Sequence, residues 1–138
     1  PLYFIQSTVK ITKSAFSKNS NQVIKADLSE IVIKKSYFSL NSDTEVYIGN
    51  QTVAVINATI SSSPHFLEAS PSASSIIFEY ARFDSSFSES LNLPNLKIIK
   101  FINTMFNCSK KCEYANFEQK VTLPEEIKSN PIIHTSMA

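Results

Sequence analysis

Apolar and polar side chains alternate at the start of the chain. Within residues 2–11, the apolar residues Tyr3, Ile5, Val9 and Ile11 share one face of an extended chain. Polar side chains occupy most of the other face, which is the period-2 pattern of a strand. The sequence therefore predicts a β-strand that begins at the first residues.

A different spacing follows after residue 20. The apolar residues Ile24, Leu28, Ile31 and Val32 lie at i, i+4, i+7 and i+8, which is the spacing of an amphipathic helix. A strand through Ile31 competes with this interpretation, but the longer window predicts a helix over residues 21–32.

The middle of the chain contains signals for strands and for a loop. Residues 45–60 are rich in Val, Ile, Thr and Tyr and predict extended chain, with Gly49-Asn50 as a hairpin turn or a bulge. Residues 61–75 are rich in serine, contain two prolines and predict an exposed loop. Residues 75–83 predict a strand that is apolar on both faces, as in a covered sheet.

A second helix is predicted from Pro94 to the neighbourhood of Cys108. Ile98, Phe101 and Met105 fall on one stripe of this segment, and a further strand follows over residues 114–121. The element order is strand, helix, strand, loop, strand, helix, strand. It predicts an α/β fold, with two consecutive βαβ units that form one sheet with two helices on one face, in a single domain over residues 1–138.

Composition limits the classes of function. The chain has 43% hydrophobic and 18% charged residues, a net charge of +1 and one arginine, Arg82. This balance is typical of a folded domain and argues against a nucleic-acid partner. The apolar runs are too short to cross a membrane, and no secretion signal is visible at the start, so the sequence predicts a cytoplasmic protein.

Several common kinds of site lack support in the sequence. Cys108 and Cys112 are predicted to be reduced thiols, with a local disulfide as the alternative, and His65 and His134 are too distant to complete a metal site. Gly49 is the only glycine, so no phosphate-binding loop or nucleotide cofactor is expected. The glycosylation triplets at three asparagines occur at the frequency expected by chance.

The N-terminal proline is the strongest candidate for chemistry. Pro1 with no preceding residue carries a secondary amine, and an apolar environment would lower its pKa toward neutrality. Such an amine acts as a general base near pH 7. The alternative is that Pro1 has no chemical role.

Four segments carry a resemblance to a known family. They are PLYFI at residues 1–5, YARF at 80–83, YANF at 114–117 and TSMA at 135–138. Together with the predicted element order, they resemble the macrophage migration inhibitory factor (MIF) family of the tautomerase superfamily.

The resemblance implies a homotrimer that catalyses keto-enol tautomerisation of small aromatic 2-oxo acids, with cytokine-like activity and no cofactor or metal. Pro1 would be the base, Tyr114 and Asn116 would line the pocket, and the backbone at Tyr80 would replace an isoleucine amide of the family. The family's substrate-binding lysine has no counterpart in residues 41–44, which implies weak or altered catalysis.

Two other classes of function remain open. One is a non-catalytic MIF-like binding or signalling protein that is secreted without a signal peptide and acts on a protein receptor. The other is a small β-rich adaptor such as an OB-like barrel, which requires residues 21–32 to be strand.

Overall fold

The computed structural model describes residues 2–20, 22–41, 44–63, 65–93, 98–119 and 134–135. Strand accounts for 58% and helix for 4% of the structure, so the fold belongs to the β class. The strands of the first half are β1 (Leu2–Ile5), β2 (Thr8–Thr12), β3 (Ala15–Ser17), β4 (Ile24–Asp27), β5 (Glu30–Ser39), β6 (Val46–Ile48) and β7 (Val53–Ser61). The elements of the second half are β8 (Leu67–Ala69), β9 (Ser75–Glu79), β10 (Arg82–Phe83), α1 (Phe87–Ser90), β11 (Leu91–Asn92), β12 (Ile98–Phe106), β13 (Glu113–Gln119) and β14 (His134–Thr135).

The strands stack in two sheets whose neighbours are mostly parallel. The five-stranded sheet has the order β1-β4-β6-β8-β11. The nine-stranded sheet has the order β14-β13-β12-β10-β7-β5-β2, with β3 on β5 and β9 between β7 and β12. Each pass of the chain, here called a coil, visits the first sheet and then the second, and equivalent positions in the first coils are 22 residues apart. Coils stacked in this way form a parallel β-solenoid.

Each coil turns at corners that are built from two consecutive residues. The first has a left-handed backbone, as at Leu28 and Lys35, where φ is 53°. The second is usually Ser, Thr or Asn. The Ser29 hydroxyl accepts the backbone N–H of Ser7 at 3.1 Å and donates to the backbone carbonyl of Asp27 at 2.7 Å. A non-glycine residue with this backbone is disfavoured by about 1–2 kcal/mol, so the corner hydrogen bonds have a strain to offset.

The same bond joins successive coils at other corners. In each case a backbone N–H of one coil donates to a side-chain oxygen of the next. The pairs are Ser14 to Ser36, Asn19 to Asn41, Ser29 to Thr52 and Asn41 to Ser63, with distances between 2.7 and 3.4 Å. The polar corner residues therefore fix the register between coils.

Apolar residues fill the interior in rows that run along the stack. One row contains Phe16, Phe38, Ile60, Phe83 and Phe106. The rings of the first two stack with centroids 4.9 Å apart, and those of the last two at 4.7 Å.

A fifth phenylalanine, Phe66, packs against this row although it is not one of its register partners. Because Ile60 interrupts the phenylalanines, Phe66 from the next corner fills the gap, with its centroid 4.9 Å from that of Phe38 and 5.6 Å from that of Phe83. Aromatic pairs of this kind add about 0.5–1.5 kcal/mol each beyond their burial.

Gly49 is required by a close approach between coils. A Cβ atom built on Gly49 would lie 1.7 Å from Oδ1 of Asp27. This space lets the Asp27 carboxylate accept the backbone N–H of Asn50 and the hydroxyl of Tyr3, each at 3.1 Å. The Asp27 hydrogen bond raises the pKa of Tyr3. The Gly49-Asn50 pair therefore precedes the corner at Gln51-Thr52, and it forms neither the predicted hairpin nor a bulge.

An antiparallel strand follows the last coil. β13 pairs with β12 in the opposite direction, and the turn between them contains a disulfide between Cys108 and Cys112. The prediction of reduced thiols is wrong, because the turn brings the two Cα atoms within 4.2 Å.

The predicted α/β fold with two βαβ units is wrong, and so is the MIF-like arrangement of two helices on one sheet. The segment 21–32 forms β4 and the start of β5, as the β-rich alternative required, although parallel stacking excludes an OB-like barrel. Ile24 and Ala26 point inward, the corner at Leu28 shifts the phase, and Ile31 points inward again. The phase shift places the inward-facing residues Ile24 and Ile31 seven positions apart, which is also the spacing of residues on one face of a helix.

The second predicted helix is strand β12. Its apolar stripe divides between two faces, because Phe101 is buried in the interior whereas Ile102 and Met105 are half-buried on the outer face. The start of that predicted helix, residues 94–97, lies outside the described residues. The predicted loop 61–75 contains the short strand β8, and the first predicted strand is divided into β1 and β2 by a corner at Gln6.

The corner bonds lead to a stability prediction. Ser29→Ala removes the acceptor of the Ser7 N–H, and we expect it to lower the free energy of unfolding by about 1–2 kcal/mol. Urea denaturation measures this change. Ser39→Ala is the matched control, since Ser39 is a half-buried serine on the outer face of β5, and its effect should stay below about 0.5 kcal/mol. Equal effects of the two variants would contradict the role of the corner bonds.

Candidate functional site

Tyr80 occupies a corner between β9 and β10. Its backbone is left-handed, with φ of 52°, and its side chain is 60% exposed. The backbone N–H of Tyr80 donates to the carbonyl of Ile102 in the next coil at 2.8 Å. The corner therefore presents the ring of Tyr80 on the outer surface.

A β-bulge places two asparagines beside this corner. The pairing of β12 with β13 shifts between Phe101 and Thr104, so that two residues of β12 face the single residue Asn116 of β13. One of them is Asn103, which has φ of 43° and stands at the same corner one coil after Tyr80. Bulges of this kind redirect side chains next to functional sites.

Cross-strand pairing brings a second tyrosine to the same place. Tyr114 on β13 is the register partner of Met105 on β12, and Met105 is also paired with Arg82 on β10. Arg82, Met105 and Tyr114 therefore form one row across the outer face.

These elements surround a cavity of about 340 Å³, here called the tyrosine cavity. It is lined by Tyr80, Asn103, Met105, Tyr114 and Asn116. Among the residues that the structure describes, the lining has no carboxylate, imidazole, thiol or amine, which are the groups that most often carry proton transfer near pH 7. Its chemistry consists of two aromatic rings with hydroxyls, two amides and a thioether.

The structure brings together three residues that the sequence had singled out. Tyr80, Tyr114 and Asn116 line one cavity, although the fold differs from the one that suggested them. Asn103 and Met105 were missed because both were assigned to a helix. The signal that would have found them is the corner that recurs from Tyr80 to Asn103.

Pro1 lies outside the described residues. Leu2, to which it is bonded, is in β1 at one end of the five-stranded sheet, whereas the tyrosine cavity adjoins β12 in the last coil. Parallel strands are about 4.8 Å apart, so Leu2 is separated from the last coil by roughly 19 Å along the stack. Within one chain, Leu2 and the tyrosine cavity are therefore at opposite ends.

A buried carboxyl group lies elsewhere, at the corner between β5 and β6. Glu45 is 1% exposed, and its Oε1 accepts a hydrogen bond from the Asn41 amide. Its Oε2 has no partner among the described residues. Burial raises the pKa of Glu45 to about 7, and the side chains of Asn41 and Ser63 oppose the shift.

Asn41 explains why a carboxyl group is tolerated at this corner. The Asn41 amide also donates to the carbonyl of Phe16 at 3.1 Å, and its oxygen accepts the backbone N–H of Asn19 at 2.7 Å. The side chain thus links two coils and the Glu45 carboxyl in one network. Glu45 is enclosed in the interior, and we assign it a structural role.

The Glu45 carboxyl predicts a dependence of stability on pH. In the folded protein, the Glu45 carboxyl stays protonated up to about pH 7. In the unfolded chain its pKa is 4.5, so it loses the proton at a lower pH. Stability should therefore fall as the pH rises between these two values, by roughly 3 kcal/mol in total. Glu45→Gln should remove this fall and unfold at a higher urea concentration at pH 8.

Urea denaturation at pH 5 and pH 8 measures the effect. Glu79→Gln is the control, because it removes a carboxylate from the half-buried outer face of β9 and should keep the fall. A Glu45→Gln variant with the same pH dependence as the unmodified protein would contradict the assignment.

The two histidines are the remaining candidates for a site. Among the described residues, no group of three or more His, Cys, Asp or Glu is arranged to hold a metal ion. His65 lies at a corner between β7 and β8, and the backbone of His134 pairs with Tyr114 through β14. Among the residues that the structure describes, no helix is long and apolar enough to cross a membrane.

Comparison of the chain with protein-family models, with curated proteins and with solved structures gave no match. The resemblance to the MIF family gains no support from these comparisons. The class that the fold defines is the parallel β-solenoid, and a function has to be inferred from the surface of this chain.

Proposed function

We propose that this protein is a non-catalytic β-solenoid binding module that holds a neutral sugar unit of a glycan in the tyrosine cavity. The observation that supports this proposal most is the lining of the cavity, whose described residues include two tyrosines and two asparagines and no charged group. This develops the binding-protein alternative and does not need the MIF fold.

The side chains of the cavity match the two kinds of surface on a sugar ring. The rings of Tyr80 and Tyr114 offer flat apolar area for the C–H face of a sugar, and their hydroxyls offer polar edges. The amides of Asn103 and Asn116 each carry donors and an acceptor, which suits neighbouring hydroxyl groups of the ligand. Met105 adds an adaptable apolar contact.

The charge of the lining favours a neutral ligand over an anion. A carboxylate or phosphate would need a cationic partner to replace its water, and the described part of the lining supplies none. Arg82 lies next to Met105 in the same row, so an anionic ligand would depend on its guanidinium group. Substitution of Arg82 therefore tests whether the ligand is neutral.

The disulfide bears on the location of the protein. Disulfides persist in oxidising compartments and are rare in the cytosol. We therefore propose an extracytoplasmic location, in place of the cytoplasmic one expected from the sequence. The protein receptor and the homotrimer stay predictions.

Binding of neutral oligosaccharides tests the proposal. Tetrasaccharides of glucose, mannose, galactose and N-acetylglucosamine are titrated separately, and chemical shifts of the asparagine side-chain amides are followed by NMR. We expect one of them to bind with a Kd on the order of 1 mM, which corresponds to about −4 kcal/mol. Tyr80→Asn and Asn116→Ala should each weaken it roughly five- to tenfold.

The variants are chosen so that the fold is kept. Tyr80 and Asn116 are exposed, and asparagine tolerates the left-handed backbone of residue 80. Tyr37→Thr is the matched control, because Tyr37 is an exposed tyrosine in the same row as Arg82 but two coils away. Absence of binding, or a dependence on Arg82 in an Arg82→Gln variant together with preference for a galacturonate tetramer, would refute a neutral-sugar site.

Tautomerase activity stays a separate prediction. Two of the residues predicted for its active site, Tyr114 and Asn116, line one cavity with Tyr80. However, the fold on which this prediction rested is wrong, and Leu2 lies far from that cavity. If the protein is a binding module, ketonisation of phenylpyruvate should proceed at the uncatalysed rate in the unmodified protein and in Pro1→Gly. Acceleration that disappears in Pro1→Gly would instead establish the N-terminal amine as a base.

A further inference from the structure

A second cavity lies at the corner that leads into β8 and β11. Its volume is about 360 Å³. The apolar part of its lining includes Leu67, Phe87 and Leu91, and the polar part includes His65, Glu68 and Glu89. It lies on different strands from the tyrosine cavity and is here called the acidic cavity.

The lining has charge of one sign. Glu68 and Glu89 contribute two carboxylates, and no Lys or Arg is among the described residues that line the cavity. The Ser86 hydroxyl approaches Glu89 Oε1 at 3.5 Å and accepts the backbone N–H of Glu89 at 3.3 Å, so the first turn of α1 fixes the position of this residue. Opposite charge is thus the first requirement for a ligand.

A buried hydroxyl group provides an independent sign of a ligand. Ser90 is 1% exposed and lines the acidic cavity, and its Oγ has no hydrogen-bond partner among the described residues. A buried hydroxyl without a partner is disfavoured by about 1–3 kcal/mol. Such groups are uncommon in folded proteins and call for an explanation, of which a bound ion that supplies the missing bond is one.

From this arrangement we infer that the acidic cavity binds a primary alkylammonium group, as found in a free amine or in a lysine side chain. The ammonium donates to the Ser90 hydroxyl and is balanced by Glu68 and Glu89. The alkyl chain packs on the leucines and on the ring of Phe87, which also attracts a cation through its π face. This site is independent of the tyrosine cavity.

The inference is tested with n-butylammonium chloride, and 1-pentanol, which is one methylene group longer, serves as the neutral comparison ligand. Binding is followed by NMR shifts of residues 87–93 at low and high salt. We expect n-butylammonium to bind more tightly than 1-pentanol, and we expect its affinity to fall as the salt concentration rises. Glu68→Gln and Glu89→Gln should each reduce its affinity roughly two- to fivefold, whereas Glu79→Gln on another face should have no effect.

Ser90→Ala separates binding from folding. Because the hydroxyl has no partner among the described residues, its removal should leave the urea midpoint unchanged or raise it, while the affinity for n-butylammonium falls. Nα-acetyl-lysine methylamide distinguishes the two sources: binding as tight as that of n-butylammonium indicates a lysine side chain, and exclusion indicates a free amine. Equal affinity for 1-pentanol, or affinities that do not respond to the glutamate variants, would overturn the inference.

Discussion

The rest of the structure depends on the hydrogen bond between the corners of successive coils. A corner such as Leu28-Ser29 forces a non-glycine residue into a left-handed backbone, which is unfavourable for an isolated coil. The strain is offset only when the coil before or after it is present, because Ser29 then accepts the N–H of Ser7 and donates its own N–H to Thr52. Local conformation and stacking are therefore mutually dependent, and no single coil is expected to fold alone.

The same constraint creates the surfaces to which we assign binding. Corners recur at fixed places, so a side chain at a corner is aligned with its counterparts in neighbouring coils, as Tyr80 is with Asn103. Where the pattern is interrupted, a cavity appears. The bulge opposite Asn116 opens the tyrosine cavity, and the insertion of α1 before β11 contributes to the acidic cavity. Both candidate binding cavities thus lie where the regular stacking of coils is interrupted.

Part of this architecture was readable in the sequence. The segments 6–20 and 28–42 align without gaps and share Ser, Lys-Ser, Phe-Ser and Asn-Ser at equivalent positions, which is a direct signal of a repeat. Extended structure was predicted for residues 45–60 and 75–83, where alternation is long and β-branched residues are frequent. The helices were mispredicted because each left-handed corner shifts the phase of the alternation, and period 2 with a shift resembles period 3.6.

The candidate site was predictable only in part. Tyr80, Tyr114 and Asn116 were named for a resemblance whose fold is wrong, and nothing local in the sequence indicates that they meet. Their proximity comes from parallel pairing between distant strands and from one antiparallel return, neither of which leaves a signal within a short window. Glu45 and Ser90 were not found, since the burial of a polar residue depends on which coil covers it.

The stacking has a mechanical consequence. The bonds between coils run along the stack, so tension applied between β1 and β12 loads them one row at a time and peels the coils in sequence. Each released coil of 22 residues would add roughly 75 Å of extended chain. The disulfide closes a turn outside the coils and does not limit this extension. Under load, the protein is expected to lengthen in nearly equal steps.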